Sequence, residues 1–160
     1  MNQPLLTISG EVETPRTLTF TDLAAIDPAQ QIVDVSRIAA GRKGDAVKLS
    51  ALLELARPKG TAKYLGLHAA ADNFHASVPL AAVAERGIVI YRLDGQPLSK
   101  QSGGPVRFFI PDHTSCKLDE IDECANVKFV DMIELTAERG FDNRPHDEQE
   151  HAALHEKEHG

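Results

Sequence analysis

The chain has 160 residues, 42% of them hydrophobic and 26% charged, and a formal net charge of −7. That length suits one domain with a core of its own. The acidic balance disfavours a nucleic-acid partner, and 5% aromatic residues without tryptophan leave little for an aromatic-lined polymer cleft.

In chain order, Leu5 to Gly10 reads as a strand and turn, and Leu18 to Phe20 as a second extended piece. Thr21 is positioned to cap a helix from Asp22 to Ile26 that stops before Pro28. Gln31 to Val35 reads as a strand and Ala39 to Asp45 as a loop with Gly41 and Gly44. A helical run follows from Leu49 through Arg57, closed by Pro58-Lys59-Gly60. Lys63 to His68 and Phe74 to Val78 read as strands on either side of a polar turn at Asp72-Asn73. Pro79 opens a short helix through Arg86. Ile88 to Leu93 is a strand before a hairpin-type Asp94-Gly95 turn. Val106 to Ile110 and Val127 to Thr136 are apolar strands, Gly140 to Pro145 is a linker, and the tail from His146 is polar. Seven or eight strands with two or three short helices predict an α+β domain on mixed sheets.

No apolar stretch nears the roughly 20 residues of a membrane span. Met1 to Glu11 lacks the basic start and apolar run of a secretory leader, so a cytoplasmic location is expected, with no membrane partner. Charge is unevenly spread. Residues 112–124 and 142–160 each carry −4, which leaves +1 for the remainder. Acidic segments that also hold His or Cys suit cations.

The candidate ligand-binding motif is Gly103-Gly104-Pro105-Val106-Arg107, with Val127-Lys128-Phe129-Val130 after it. Paired glycines let backbone approach an anion closely, and proline fixes the turn. The Arg107 guanidinium can fork onto a phosphate, and Lys128 adds a point charge. The other reading is a turn before a core strand, with Arg107 in a structural ion pair.

These pieces stand in an order that resembles a known family. Ile8-x-Gly10-x-Val12, Leu18-Thr19-x-x-Asp22-Leu23, Leu49-x-x-Leu52-Leu53 and Phe74-x-x-Ser77-x-Pro79-Leu80 lead into Asp94-Gly95, Gly103-Gly104-Pro105-Val106-Arg107 and Val127-Lys128-Phe129-Val130. Over about residues 5 to 137 this is similar to the molybdopterin-binding domain of the sulfite oxidase family. The resemblance implies a domain over residues 1–140 with the molybdenum cofactor as a small-molecule ligand, and residues 141–160 read by composition as an acidic His-rich tail. It also implies that Gly103, Gly104, Arg107 and Lys128 lie at the pterin and phosphate end.

The family's enzymes hold molybdenum through one cysteine thiolate after the strand that precedes the Leu-Leu helix. Here Ile32 to Ala39 contains no cysteine, and Ser36, or Asp34 in a shifted alignment, takes the place. A neutral hydroxyl is a poor substitute for a soft thiolate. Arg37, Arg42 and Lys43 follow, as further anion contacts or as a solvated basic loop.

The only two cysteines, Cys116 and Cys124, sit in the acidic insert from Asp112 to Ala125, with His113 beside them. His113, Cys116 and Cys124 can furnish ligands to zinc or another transition metal. A disulfide and two ordinary thiols are the alternatives. In the tail, His151, His155 and His159 are spaced four apart, so a helix would place them on one face as a second metal candidate, with His146 before them. The alternative there is a solvated acidic tail. His68 and His75 read as ordinary sheet residues. Two functions follow: a molybdopterin-binding oxidoreductase relative without standard sulfite-oxidase chemistry, or a non-catalytic binding module that uses the cysteine insert.

Overall fold

The computed structural model describes residues 3–38, 43–110 and 126–140. The cysteine insert, Arg42 and the histidine tail lie outside them. Two sheets share one core. The first runs β2 (Arg16–Thr19), β1 (Pro4–Gly10), β11 (Met132–Thr136), β5 (Tyr64–Ala69) and β6 (Phe74–Pro79), in that order. Its β1–β11 pairing is parallel and its other pairings are antiparallel. The second runs β10 (Asn126–Val130), β9 (Val106–Phe109), β7 (Ile88–Leu93), β4 (Asp45–Lys48) and β3 (Gln31–Ile32), with β8 (Gln96–Pro97) on β7. The expected α+β class of mixed sheets and short helices is what the chain adopts.

The inner faces meet in a core that includes Leu6, Ile8, Leu65, Leu67, Val89, Tyr91, Phe108 and Ile133. Helix α2 (Leu49–Ala56) buries Leu49, Leu52, Leu53 and Ala56 in that core. It ends at Arg57, which takes a left-handed conformation before Pro58. Tyr91 ties the second sheet to α1 (Phe20–Ala24). Its ring packs on Phe20 at 5.7 Å, and its hydroxyl donates to Gln31 Oε1 at 2.8 Å. The Gln31 amide in turn donates to the Leu23 and Ile26 carbonyls, at 2.8 and 3.3 Å. Burial raises the Tyr91 pKa, because the phenolate would lose water that this site does not replace.

Several local expectations change. Thr19, not Thr21, caps the first helix, because Asp22 sits three residues on and completes a capping box with it. The strand expected over Gln31 to Val35 stops at Ile32, and Val35–Arg37 forms a 3-10 turn under the Asp34 side chain. Asp45, expected as the end of a loop, instead opens β4, which lies between β7 and β3 in the second sheet. The helix expected from Pro79 to Arg86 shrinks to α3 (Leu80–Val83).

The apolar run Val127 to Thr136 is two strands, not one. Phe129 turns left-handed and donates its N–H to the Gly103 carbonyl at 2.8 Å. The Asp131 N–H then donates to the His68 carbonyl at 3.0 Å. These two bonds pass the chain from the second sheet to the first.

Tyr91→Phe should lower stability by about 1–3 kcal/mol, because it strands the Gln31 acceptor; urea unfolding measures this. The sign of the raised pKa adds a pH test. The folded state holds the phenolic proton more tightly, so this contribution is complete below about pH 10 and is lost as pH rises through the folded-state value. The variant should lack that alkaline loss.

Candidate functional site

The second sheet carries a smaller apolar cluster on its outer face, formed by Val35, Ala46, Ile88, Ile90 and Phe109. Arg107 belongs to that face. It stands opposite Ile90 on β7 and two residues from Phe109 on its own strand. The Asp34–Arg37 segment covers the same face, because Val35 is fully buried in the cluster. The Asp34–Ser36 segment and the candidate Arg107 are thus brought to one surface of one sheet.

The Asp45 carboxylate latches this segment down. One oxygen accepts the Asp34 N–H at 2.8 Å, and the other accepts Arg92 Nε at 2.8 Å. Both partners of the Asp45–Arg92 pair are about one quarter exposed or less, at 20% and 24%. The Val35 N–H adds a bond to the Gly44 carbonyl at 2.8 Å. Asp34, left-handed at φ 66°, uses its side chain to hold Ser36, accepting from both its backbone N–H and its hydroxyl. Ser36 is exposed, and its hydroxyl proton is committed to Asp34. Arg37 Nε lies 3.9 Å from Asp34 in a largely exposed pair, which adds little. Lys43 is exposed.

The Gly103-Gly104 turn has a use that differs from the one its glycines suggested. Gly103 has φ 98°, and a Cβ there would stand 2.5 Å from Arg107 Cδ. A Cβ on Gly104 would stand 2.4 Å from the Leu98 carbonyl oxygen. Protein atoms already occupy the space that side chains would fill, so the glycines admit the Arg107 stem and the neighbouring chain. The Arg107 Nε is buried under this turn.

Lys128 follows the buried Val127 and is exposed. It lies in a register shift between the pairs Val127–Phe108 and Val130–Val106, where Lys128 and Phe129 together stand opposite Arg107. The structure therefore gathers Gly103, Gly104, Arg107 and Lys128 at one end of β9 and β10. Ser36 and Asp34 share the sheet face.

His113, Cys116, Cys124, Arg42 and the tail histidines fall outside the described residues. Among the described residues no group of three His, Cys, Asp or Glu side chains is arranged to hold a metal. One titratable cluster was not expected. His68 Nδ1 lies 2.8 Å from His75 Nδ1, and His68 Nε2 lies 3.0 Å from Glu134 Oε1. A signal existed for its first half, since a hairpin about the Asp72-Asn73 turn brings positions 68 and 75 opposite each other.

A sequence profile described as "Oxidoreductase molybdopterin binding domain" matches residues 3–143. Among solved structures the chain is similar to the sulfane dehydrogenase SoxCD from Paracoccus pantotrophus, with a TM-score of 0.58 and 21% identity. That match covers 85% of this chain and 39% of the other, so the chain spans well under half of that relative's length. A search of curated proteins gives no match.

Asp45→Ala should release the Asp34–Arg37 segment and leave Arg92 half-buried without its carboxylate. A stability loss of about 2 kcal/mol is expected, less than for a fully buried pair. Amide exchange at Asp34 and Val35 should quicken with it, while exchange in the first sheet stays as in the parent.

Proposed function

The chain belongs to the oxidoreductase molybdopterin binding domain family, and from that premise we propose that it holds an anionic pterin cofactor of the molybdopterin type without thiolate-based oxygen-atom transfer. The observation that carries this is the shared outer face of the second sheet, with Arg107 at one end and the Asp34–Ser36 segment docked through Val35. Arg107 and Lys128 would meet the phosphate and pterin end, where a planar fork and a point charge complement each other. The Gly103-Gly104 turn would fix the arginine stem.

The fit is good at the organic end and poor at the metal end. Molybdenum in this family is held by a soft, anionic sulfur. The corresponding segment offers the Ser36 hydroxyl, already donating to Asp34, and a carboxylate already accepting from Ser36. No step through the metal is therefore assigned to this chain. Its role is binding or carrying the cofactor, and no substrate follows from it.

Protein made in a molybdenum-replete host should release a fluorescent pterin on denaturation, near one per chain. Arg107→Ala should reduce that yield about tenfold or more, the scale of one lost charge-assisted contact. Ser36→Ala should leave it unchanged. A parent protein without pterin would overturn the proposal, and a Ser36→Ala variant without it would restore a role for the hydroxyl as ligand.

A further inference from the structure

The chain is acidic overall, at −7, yet two of its segments carry cations alone. Residues 96–110 hold Lys100 and Arg107, residues 126–130 hold Lys128, and neither segment contains an Asp or Glu. The fold ties all three cations to the Gly103 peptide. The Gly103 N–H donates to the Lys100 carbonyl at 3.1 Å. The Gly103 carbonyl accepts, at 2.8 Å, the N–H of Phe129, the residue after Lys128. The side chain that Gly103 lacks leaves the space taken by the Arg107 stem. Three elements therefore meet at one glycine: a 3-10 turn over Lys100–Ser102, β9 and β10.

The same bonds decide what can attract an anion at this turn. The Gly104 N–H donates to the Ser99 carbonyl at 2.9 Å, and the Ser102 N–H to that carbonyl at 3.0 Å. The amides of the turn are thus committed to the protein, unlike those of a glycine-rich loop that points its N–H groups at a phosphate. Attraction has to come from side chains. Lys100 and Lys128 are exposed, and neither ammonium is in an ion pair among the described residues. The Ser99 side chain caps the turn that carries Lys100, so its backbone is already ordered before any ligand arrives.

We propose that Lys100 is a third binding residue of this site, and that it closes with Arg107 and Lys128 on a phosphate group carrying two negative charges. This rests on the reading of the β9–β10 end as the cofactor's phosphate end, and it adds a residue from outside both strands. The Arg107 fork takes two phosphate oxygens, while the two ammonium groups act as point charges that adjust to the third. A dianion gains about twice what a monoanion gains from each added cation. Three cations therefore favour a terminal phosphate over a phosphodiester or a carboxylate.

Inorganic phosphate at about pH 8, where the dianion dominates, is the probe. The Gly103 and Phe129 amides report on it by NMR of the full chain, and both should shift saturably. Lys100→Glu should weaken that binding about tenfold and Lys100→Ala about threefold. Lys100→Arg should bind as the parent does, and so should Lys59→Ala, which removes an exposed lysine outside both segments. Dimethyl phosphate, a monoanion, should bind more weakly and lose less in Lys100→Glu. Parent amides that ignore phosphate, or a Lys100→Glu variant that binds it like the parent, would overturn the role of Lys100. Pterin yield separates this from the wider reading. A parent without pterin that still shows the Lys100-dependent phosphate response would lose the cofactor and keep this site. A parent with pterin whose Lys100→Glu variant binds phosphate unchanged would keep the cofactor and lose the third cation.

Discussion

The second sheet is apolar on both sides, and it has to be covered twice. In β7 the run Ile88, Val89, Ile90 and Tyr91 is buried without alternation, at 4% exposure or less throughout. Val89 and Tyr91 face the main core, while Ile88 and Ile90 face outward. Nothing in the first sheet can reach that outward side. The Asp34–Arg37 segment covers it, and its Asp34 and Val35 N–H groups go to Asp45 and the Gly44 carbonyl. The candidate site is where this cover meets the end of β9.

This explains why the Asp45 carboxylate matters although it touches no proposed ligand group. It neutralises Arg92 and fixes the backbone of Asp34, and Asp34 then sets Ser36. Geometry passes from a central strand to an exposed hydroxyl through three hydrogen bonds. The same economy appears at Gly103, where missing side chains make room for the Arg107 stem. Both cases place the positioning work one residue away from the group positioned.

The parts of the fold legible in sequence were those with local causes. The β7 strand and its Asp94-Gly95 turn stand where alternation-free apolar residues and positive-φ chemistry put them. Arg107 and Lys128 were legible as candidates because each is the one cation at the start of an apolar strand. What was not legible depended on distant partners. Val127 to Thr136 looks like one strand, since only the Gly103 and His68 carbonyls divide it. β4 is four residues beside a Gly-rich basic stretch, and its burial comes from β7. The contact of His68 with Glu134 was not legible because Glu134 lies 66 residues beyond it.

The position of β11 has a consequence for synthesis. It lies between β1 and β5, pairing with both, and it is the final strand among the described residues. Until Thr136 leaves the ribosome, the first sheet is only two separate hairpins, β1–β2 and β5–β6, and isolated hairpins are marginal in water. At typical elongation rates the N-terminal strand waits on the order of ten seconds for its parallel neighbour. During that wait the edge of β1 that will receive β11 is open to other chains. Completion of this domain is therefore vectorial in an unhelpful sense: the strand made last joins the halves made first.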